Sequence, residues 1–178
     1  MKITTTKIEG LVIIEPKVYR DSRGYFSETY HQSRLGTLGI QQKFIQDNQS
    51  RSSFGVIRGL HYQKPPHAQT KLIRVIEGTI FDVALDIRTD SPTFGNWFGL
   101  EISAENQLQL LIPGGFAHGF SVLSTYATVF YKCDAYYHPE SESGIRFNDP
   151  ALGIDWKIDL DVAVVSKKDL ALPLFKDL

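Results

Sequence analysis

The chain has 178 residues, 42% of them hydrophobic and 22% charged, with a formal net charge of −1. That length and balance suit a single soluble globular domain, residues 1–178, with a real core. The near-neutral charge argues against general nucleic-acid binding but not against a small anion held by a few local cations. One cysteine, Cys133, excludes an intrachain disulfide and fits a reducing compartment. The opening MKITTTKIEG lacks the apolar run of a signal peptide, and no segment approaches the roughly 18 apolar residues of a membrane span. A cytoplasmic protein with no membrane partner is expected.

In chain order, the apolar pattern mostly has the period of strands. LVIIEPKVY (11–19) is β-branched and runs into a turn, DSRG. GYFSETY (24–30) alternates aromatic and polar residues, and HQSRLGTLGI (31–40) has room for one or two helical turns, weakened by Gly36 and Gly39. KFIQDNQS (43–50) reads as a short strand. KLIRVIEGTIFDVALDIR (71–88) reads as two strands joined at Glu77–Gly78. NWFGLEIS (96–103), LQLLIP (108–113), HGFSVLS (118–124) and ATVFYKCDAYYHP (127–139) follow, and SKKDLALPLF (166–175) ends in a short helical turn before Pro173. Strands this evenly spaced, separated by Gly, Pro, Asn and Asp, predict an all-β sandwich or barrel with minor short helices.

Between two of these strands, RGLHYQKPPHAQTKL (58–72) gathers Arg58, His61, His67 and Lys71, and its two prolines rule out a helix. Metal-binding jelly rolls use paired histidines at alternate positions of one strand. The position two after His61 is Gln63, and His67 lies beyond Pro65 and Pro66, so the spacing speaks against a metal and none is expected. A histidine suits a general base near neutral pH when a carboxylate orients it. Asp82 or Asp169 could do so, Lys71 could stabilise an oxyanion, and a tyrosine of VFYKCDAYY could donate from the opposite face. Tyr131, Tyr136 and Tyr137 are equal candidates at this level. Arg23, Arg58, Arg74 and Lys71 could together clamp a phosphate, since no glycine-rich phosphate loop is present. Spacing alone leaves the bland alternatives open: a structural histidine, a solvated lysine, tyrosines that pack a sandwich and arginines in surface ion pairs.

A longer series of motifs carries a resemblance: DSRGYFSE (21–28), FIQDNQS (44–50), VIRGLHYQ (56–63), AQTKLIRV (68–75), GTIFDVALDIR (78–88), SPTFGNW (91–97), IPGGFAHGF (112–120), YKCDAYYHPESESGI (131–145), NDPALGIDW (148–156) and SKKD (166–169). In order and over nearly the whole chain, they resemble the dTDP-4-dehydrorhamnose 3,5-epimerases, metal-free cupins of deoxysugar biosynthesis. The resemblance implies a cupin-type double-sheet jelly roll and a homodimer that exchanges N-terminal strands. It also implies an isomerase acting on a dTDP-4-keto sugar with no cofactor. Enzymes that invert sugar carbon 3 alone share the same motifs, and the sequence leaves that alternative open.

Carried over residue by residue, His61 matches the general base, Asp169 its carboxylate partner, Lys71 the enolate stabiliser and Tyr131 the acid of the opposite face. Arg23, Phe26 and Glu28 match a nucleotide-contacting segment, with Arg23 and Glu28 reaching the neighbouring subunit's site. Gln46, Asp47 and Asn48 match the QDN segment, Arg58 a phosphate or sugar contact, and His118 a site residue. Tyr137, Glu142 and Lys168 match further substrate contacts. Phe147 stands where the family more usually has Trp, and Lys157 where it often has Pro; packing effects alone are expected from both. His67 and His138 match no role and read as surface or loop residues.

Overall fold

The computed structural model describes residues 1–178. The chain opens with β1 (Lys2–Thr5), β2 (Val12–Glu15), β3 (Val18–Asp21), β4 (Gly24–Ser27) and the short helix α1 (Gln32–Thr37). It continues with β5 (Gln46–Ser53), β6 (Val56–Gln63), β7 (Lys71–Glu77), β8 (Thr79–Asp86), β9 (Trp97–Ser103) and β10 (Gln109–Ile112). β11 (Phe116–Val122), β12 (Tyr126–Cys133), β13 (Glu142–Gly144), β14 (Val164–Val165) and α2 (Lys167–Leu170) complete it. No helix is long and apolar enough to cross a membrane.

Sheet one has the order β1-β2-β10-β7-β12-β5 and sheet two the order β13-β6-β11-β8-β9. Every pairing on these paths is antiparallel. β14 adds to β6 in parallel, and β3 and β4 form a separate hairpin. The expected double-sheet jelly roll is what the chain forms.

Three apolar layers follow from the two-residue period of a strand. Between the sheets, Ile73, Val75, Leu110, Ile112 and Val129 of sheet one meet Ile80, Ala84, Ile102, Phe120 and Val122 of sheet two. Truncating one of these to alanine costs about 2–5 kcal/mol. The far face of sheet two, with Ile57, Leu60, Phe81, Val83 and Leu85, is covered by Phe147, Leu152 and Trp156 of the C-terminal segment. Trp156 is pinned there: its Nε1 donates to Phe147 O at 2.8 Å, and its own carbonyl accepts from Ser121 Oγ at 2.6 Å. The far face of sheet one packs Ile14, Leu72 and Leu111 against Leu35 and Ile40. Phe147 is buried in its layer, whereas Lys157 sits at φ 60, a conformation closed to proline.

The differences from the sequence reading have local causes. The run 11–19 is two strands, because Pro16 has no N–H to continue a ladder. The strand placed at 43–50 begins three residues later, where Gln46–Ser53 pairs with the whole of β12. β12 stops at Cys133 rather than running to 139. β1, β13 and β14 are too short to leave a periodic signal.

Candidate active site

β6 holds the centre of the site, and its geometry depends on one extra residue. Arg58 and His61 are three apart, so a regular strand would send them to opposite faces. In the pairing with β11, His61 lies opposite His118 and Arg58 opposite Phe120. Gly59 and Leu60 therefore face the single residue Gly119, which is a β-bulge. It returns both Arg58 and His61 to the inner face while Leu60 stays in the outer layer. Gly59 has φ 113, and a Cβ there would lie 2.6 Å from Gly119 Cα and 2.6 Å from His118 O. No other residue fits.

The bulge also frees the Gly59 N–H from the ladder, and that group donates to Asp169 Oδ2 at 3.1 Å. Asp169 Oδ1 meets His61 Nε2 at 2.9 Å. The carboxylate sits on α2, whose N-cap Ser166 accepts from the Asp169 N–H at 3.0 Å. Burial alone would raise the Asp169 carboxyl. The hydrogen bond and charge of His61, with the Gly59 and Ser166 contacts, outweigh it and hold the group below the usual carboxylate range. Asp169 is buried, and the His61 side chain is 32% exposed at the pocket wall.

Sheet one supplies the opposite wall. Alternation along β5 turns Gln46, Asn48 and Ser50 inward, beside Tyr131 of β12 and Lys71 of β7. Burial lowers the Lys71 ammonium below the ordinary lysine range, against the pull of Cys133, Asp82 and Glu142. Its one hydrogen bond is long, 3.5 Å to His61 O, so donors remain for a ligand. Burial raises the Tyr131 phenol, as do Cys133 and Glu142, with Arg58 opposing, so it stays protonated at neutral pH. At the rim, Tyr137 Oη donates to Glu142 at 2.7 Å and Lys168 Nζ to the same oxygen at 2.6 Å. The cavity is about 300 Å³, within the size range of small-molecule pockets.

Nine expected residues line this cavity: His61, Lys71, Tyr131, Gln46, Asn48, Arg58, His118, Tyr137 and Glu142. Asp169 stands behind His61, and Lys168 is tied to the rim through Glu142. Four do not reach it within the chain. Asp47 is out of phase with Gln46 and Asn48, and it pairs with Lys132 at 2.8 Å on the outer face. Arg23 pairs with Asp21 at 2.6 Å, Glu28 with Arg34 at 2.8 Å, and Phe26 is 68% exposed on the hairpin. The four-cation phosphate clamp does not assemble either: Arg58 and Lys71 line the cavity, Arg23 is on the hairpin, and Arg74 lies beside Tyr25 and Gln109 in a separate cleft.

Of the three tyrosines, Tyr131 faces inward, Tyr137 is at the rim, and Tyr136 is 70% exposed. Of the two carboxylates, Asp169 is bonded to His61 and Asp82 to His118, the latter pair at 2.9 Å. Ser50, Gln63 and Gln69 also line the cavity and were not anticipated. The alternation in QDNQS could have pointed to Ser50. His67 and His138 are not free surface groups. Their rings stack 4.0 Å apart, and Gln63 ties both loops by accepting from the His138 N–H at 2.6 Å and donating to His67 O at 2.8 Å. No group of three or more His, Cys, Asp or Glu side chains is disposed to hold a metal.

Two packed antiparallel sheets with a polar pocket opening between them define a cupin-type jelly roll. The sequence model of the dTDP-4-dehydrorhamnose 3,5-epimerase family matches residues 5–177, and the chain belongs to that family. It is 50% identical over 175 residues to the dTDP-4-dehydrorhamnose 3,5-epimerase of Salmonella typhimurium, covering 98% of this chain and 95% of that one. The crystal structure of the Elizabethkingia anophelis enzyme of the same name superposes with a TM-score of 0.95 at 51% identity, over 99% of this chain and 97% of that one. A Legionella pneumophila dTDP-6-deoxy-D-glucose-3,5-epimerase, solved in complex with dTDP-4-keto-L-rhamnose, superposes at 0.94 with 52% identity, over 98% and 93% of the two chains.

Proposed function

We propose that the chain, as one domain over residues 1–178, converts dTDP-4-dehydro-6-deoxy-D-glucose to dTDP-4-dehydro-L-rhamnose in dTDP-L-rhamnose biosynthesis. The observation that carries this reading is the opposition of His61 on sheet two to Tyr131 on sheet one, with Lys71 in the same cavity. A keto group at sugar carbon 4 acidifies the hydrogens at carbons 3 and 5. With Nε2 committed to Asp169, His61 keeps Nδ1 to take one of those protons. The resulting enolate oxygen is held by the Lys71 ammonium. Tyr131 returns a proton from the other side, inverting the carbon. The substrate's own carbonyl is the electron sink, so the chemistry calls for neither redox cofactor nor metal.

The binding groups divide accordingly. Arg58, Gln46, Asn48, His118, Tyr137, Glu142 and Lys168 serve the sugar and its diphosphate. Arg23, Phe26 and Glu28 serve a neighbouring copy. The exposed hairpin β3–β4 supports a homodimer in which that element is the part exchanged, since β1 and β2 pair within the chain's own sheet. The reading places the enzyme in the cytoplasm, where its nucleotide-sugar substrate is made and its buried free cysteine stays reduced.

The test is turnover in deuterated water, followed by NMR of the sugar. Exchange at carbons 3 and 5, abolished by His61→Ala, supports the double epimerase. Exchange at carbon 3 alone establishes the single epimerase instead, and no exchange with substrate bound overturns the catalytic reading.

A further inference from the structure

The cavity holds two histidine–carboxylate pairs, and the proton transfers above use one. His118 lies opposite His61 in the β11–β6 register, and its Nε2 meets Asp82 Oδ2 at 2.9 Å. Asp82, on β8 opposite Phe120, has no exposed surface. Its second oxygen, Oδ1, has no hydrogen-bond partner. A carboxylate buried with one oxygen unpaired is costly unless a hydrogen bond and a nearby positive charge offset it.

The His118 ring shares a hydrogen bond with one oxygen. Asp82 alternates along β8 with Ile80 and Ala84 of the inter-sheet layer, so its side chain faces sheet one. There Lys71 turns into the cavity that His118 also lines, and it feels the Asp82 charge. The other ionisable groups around Lys71 are Cys133 and Tyr131 on β12, Glu142 on β13, and His61 and Arg58 on β6. Glu142 is already engaged by Lys168 and Tyr137, and Asp169 by His61 and Gly59. Of these three carboxylates, Asp82 is the fully buried one, and its Oδ1 is buried without a partner. A fixed negative charge near Lys71 counters the burial that strips its proton, and it does so without occupying the donors an enolate needs.

We infer that Asp82 is a positioning residue for the reaction: behind the cavity wall it fixes His118 through Nε2 and supplies the standing counter-charge for the Lys71 ammonium. Its consequence for turnover rests on the epimerase reading, while the charge relation between Asp82 and Lys71 does not. Asp82→Asn keeps an oxygen for His118 and removes the charge. Nitrogen-edited NMR follows the Lys71 Nζ across pH in the ligand-free protein, parent and variant alike. Lys71 is expected to lose its proton at lower pH in the variant. The alkaline limb of kcat moves the same way, with kcat falling about tenfold and KM changing less. Asp82→Ser carries the same measurement where the Asn variant folds poorly.

A Lys71 titration that stays in place overturns the assignment even if turnover falls, because a merely structural carboxylate lowers stability without moving Lys71. A parent protein that fails to epimerise overturns the epimerase reading instead, and the titration still decides the role of Asp82.

Discussion

The walls of the cavity and the hairpin β3–β4 carry equally dense motifs, yet the chain folds only one of them onto itself. On the walls, backbone pairing brings together residues far apart in sequence: His61 faces His118 across β6 and β11, and Asp169 reaches back over 108 positions to His61. On the hairpin, Arg23 spends its guanidinium on Asp21, two residues away, and Phe26 stays in solvent. The difference teaches that a motif can be complete in sequence and still lie outside the cavity that its own chain assembles. The wall residues are held by ladder and bulge, so changes there act on geometry. The hairpin residues are held by little beyond each other, so changes there act on whatever they meet.

The sharpest break of this contrast is Gly59→Ala. The added Cβ meets backbone on β11, and the φ is one that L residues rarely adopt. Stability should fall by about 3 kcal/mol in urea unfolding, with activity lost along with it. His61→Ala comes next: kcat should drop about a thousandfold while the melting temperature shifts little, and activity within tenfold of the parent removes His61 as the base. Asp169→Asn should cost about a hundredfold in kcat, less than loss of the base, because an orienting partner is changed rather than the proton acceptor.

The same carboxylate has a pH signature. Its folded-state titration lies below the ordinary carboxylate value, so its contribution to stability is complete above about pH 4 and is lost as pH falls through the lowered value. Acid unfolding of Asp169→Asn should therefore be less steep than that of the parent; identical curves would show that the His61 pair contributes nothing to stability. Arg23→Ala is the mildest change, raising KM about tenfold with an unchanged melting temperature. It also separates the two regions directly. Mixing Arg23→Ala with His61→Ala protein should recover activity if the hairpin completes a neighbour's site, since one site of each mixed dimer is then intact. Strictly additive activity would place Arg23 with its own chain.

Much of the fold was legible because the strands obey their period: β7 and β8 were separable at Glu77–Gly78. The bulge was not, since nothing in RGLH states that the count shifts by one, and only the neighbouring strand reveals it. For the same reason spacing could not assign Asp82 and Asp169 between the two histidines. Tyr131 was selected by resemblance, and its inward direction comes from pairing with Asn48, which the alternation of QDNQS alone did not reveal. Asp47 shows the cost of reading a motif as a block. Its neighbours face the cavity while it faces away, as period two requires.

The extra residue at Gly59 makes β6 a place where the chain must count. Delete one position between Arg58 and His61, and the pair, now two apart on a regular strand, still faces the cavity, but the N–H that the bulge frees for Asp169 Oδ2 returns to the ladder. Add one while the bulge stays, and one of the two must exchange places with the apolar residues under the C-terminal segment. The loops at 64–70 and 134–141 can change length and stay at the mouth, because their ends remain anchored in strands. The four residues from Arg58 to His61 have no such freedom. Of all the chain's segments, this is the one where an insertion would disarm the cavity without disturbing a single one of its side chains' identities.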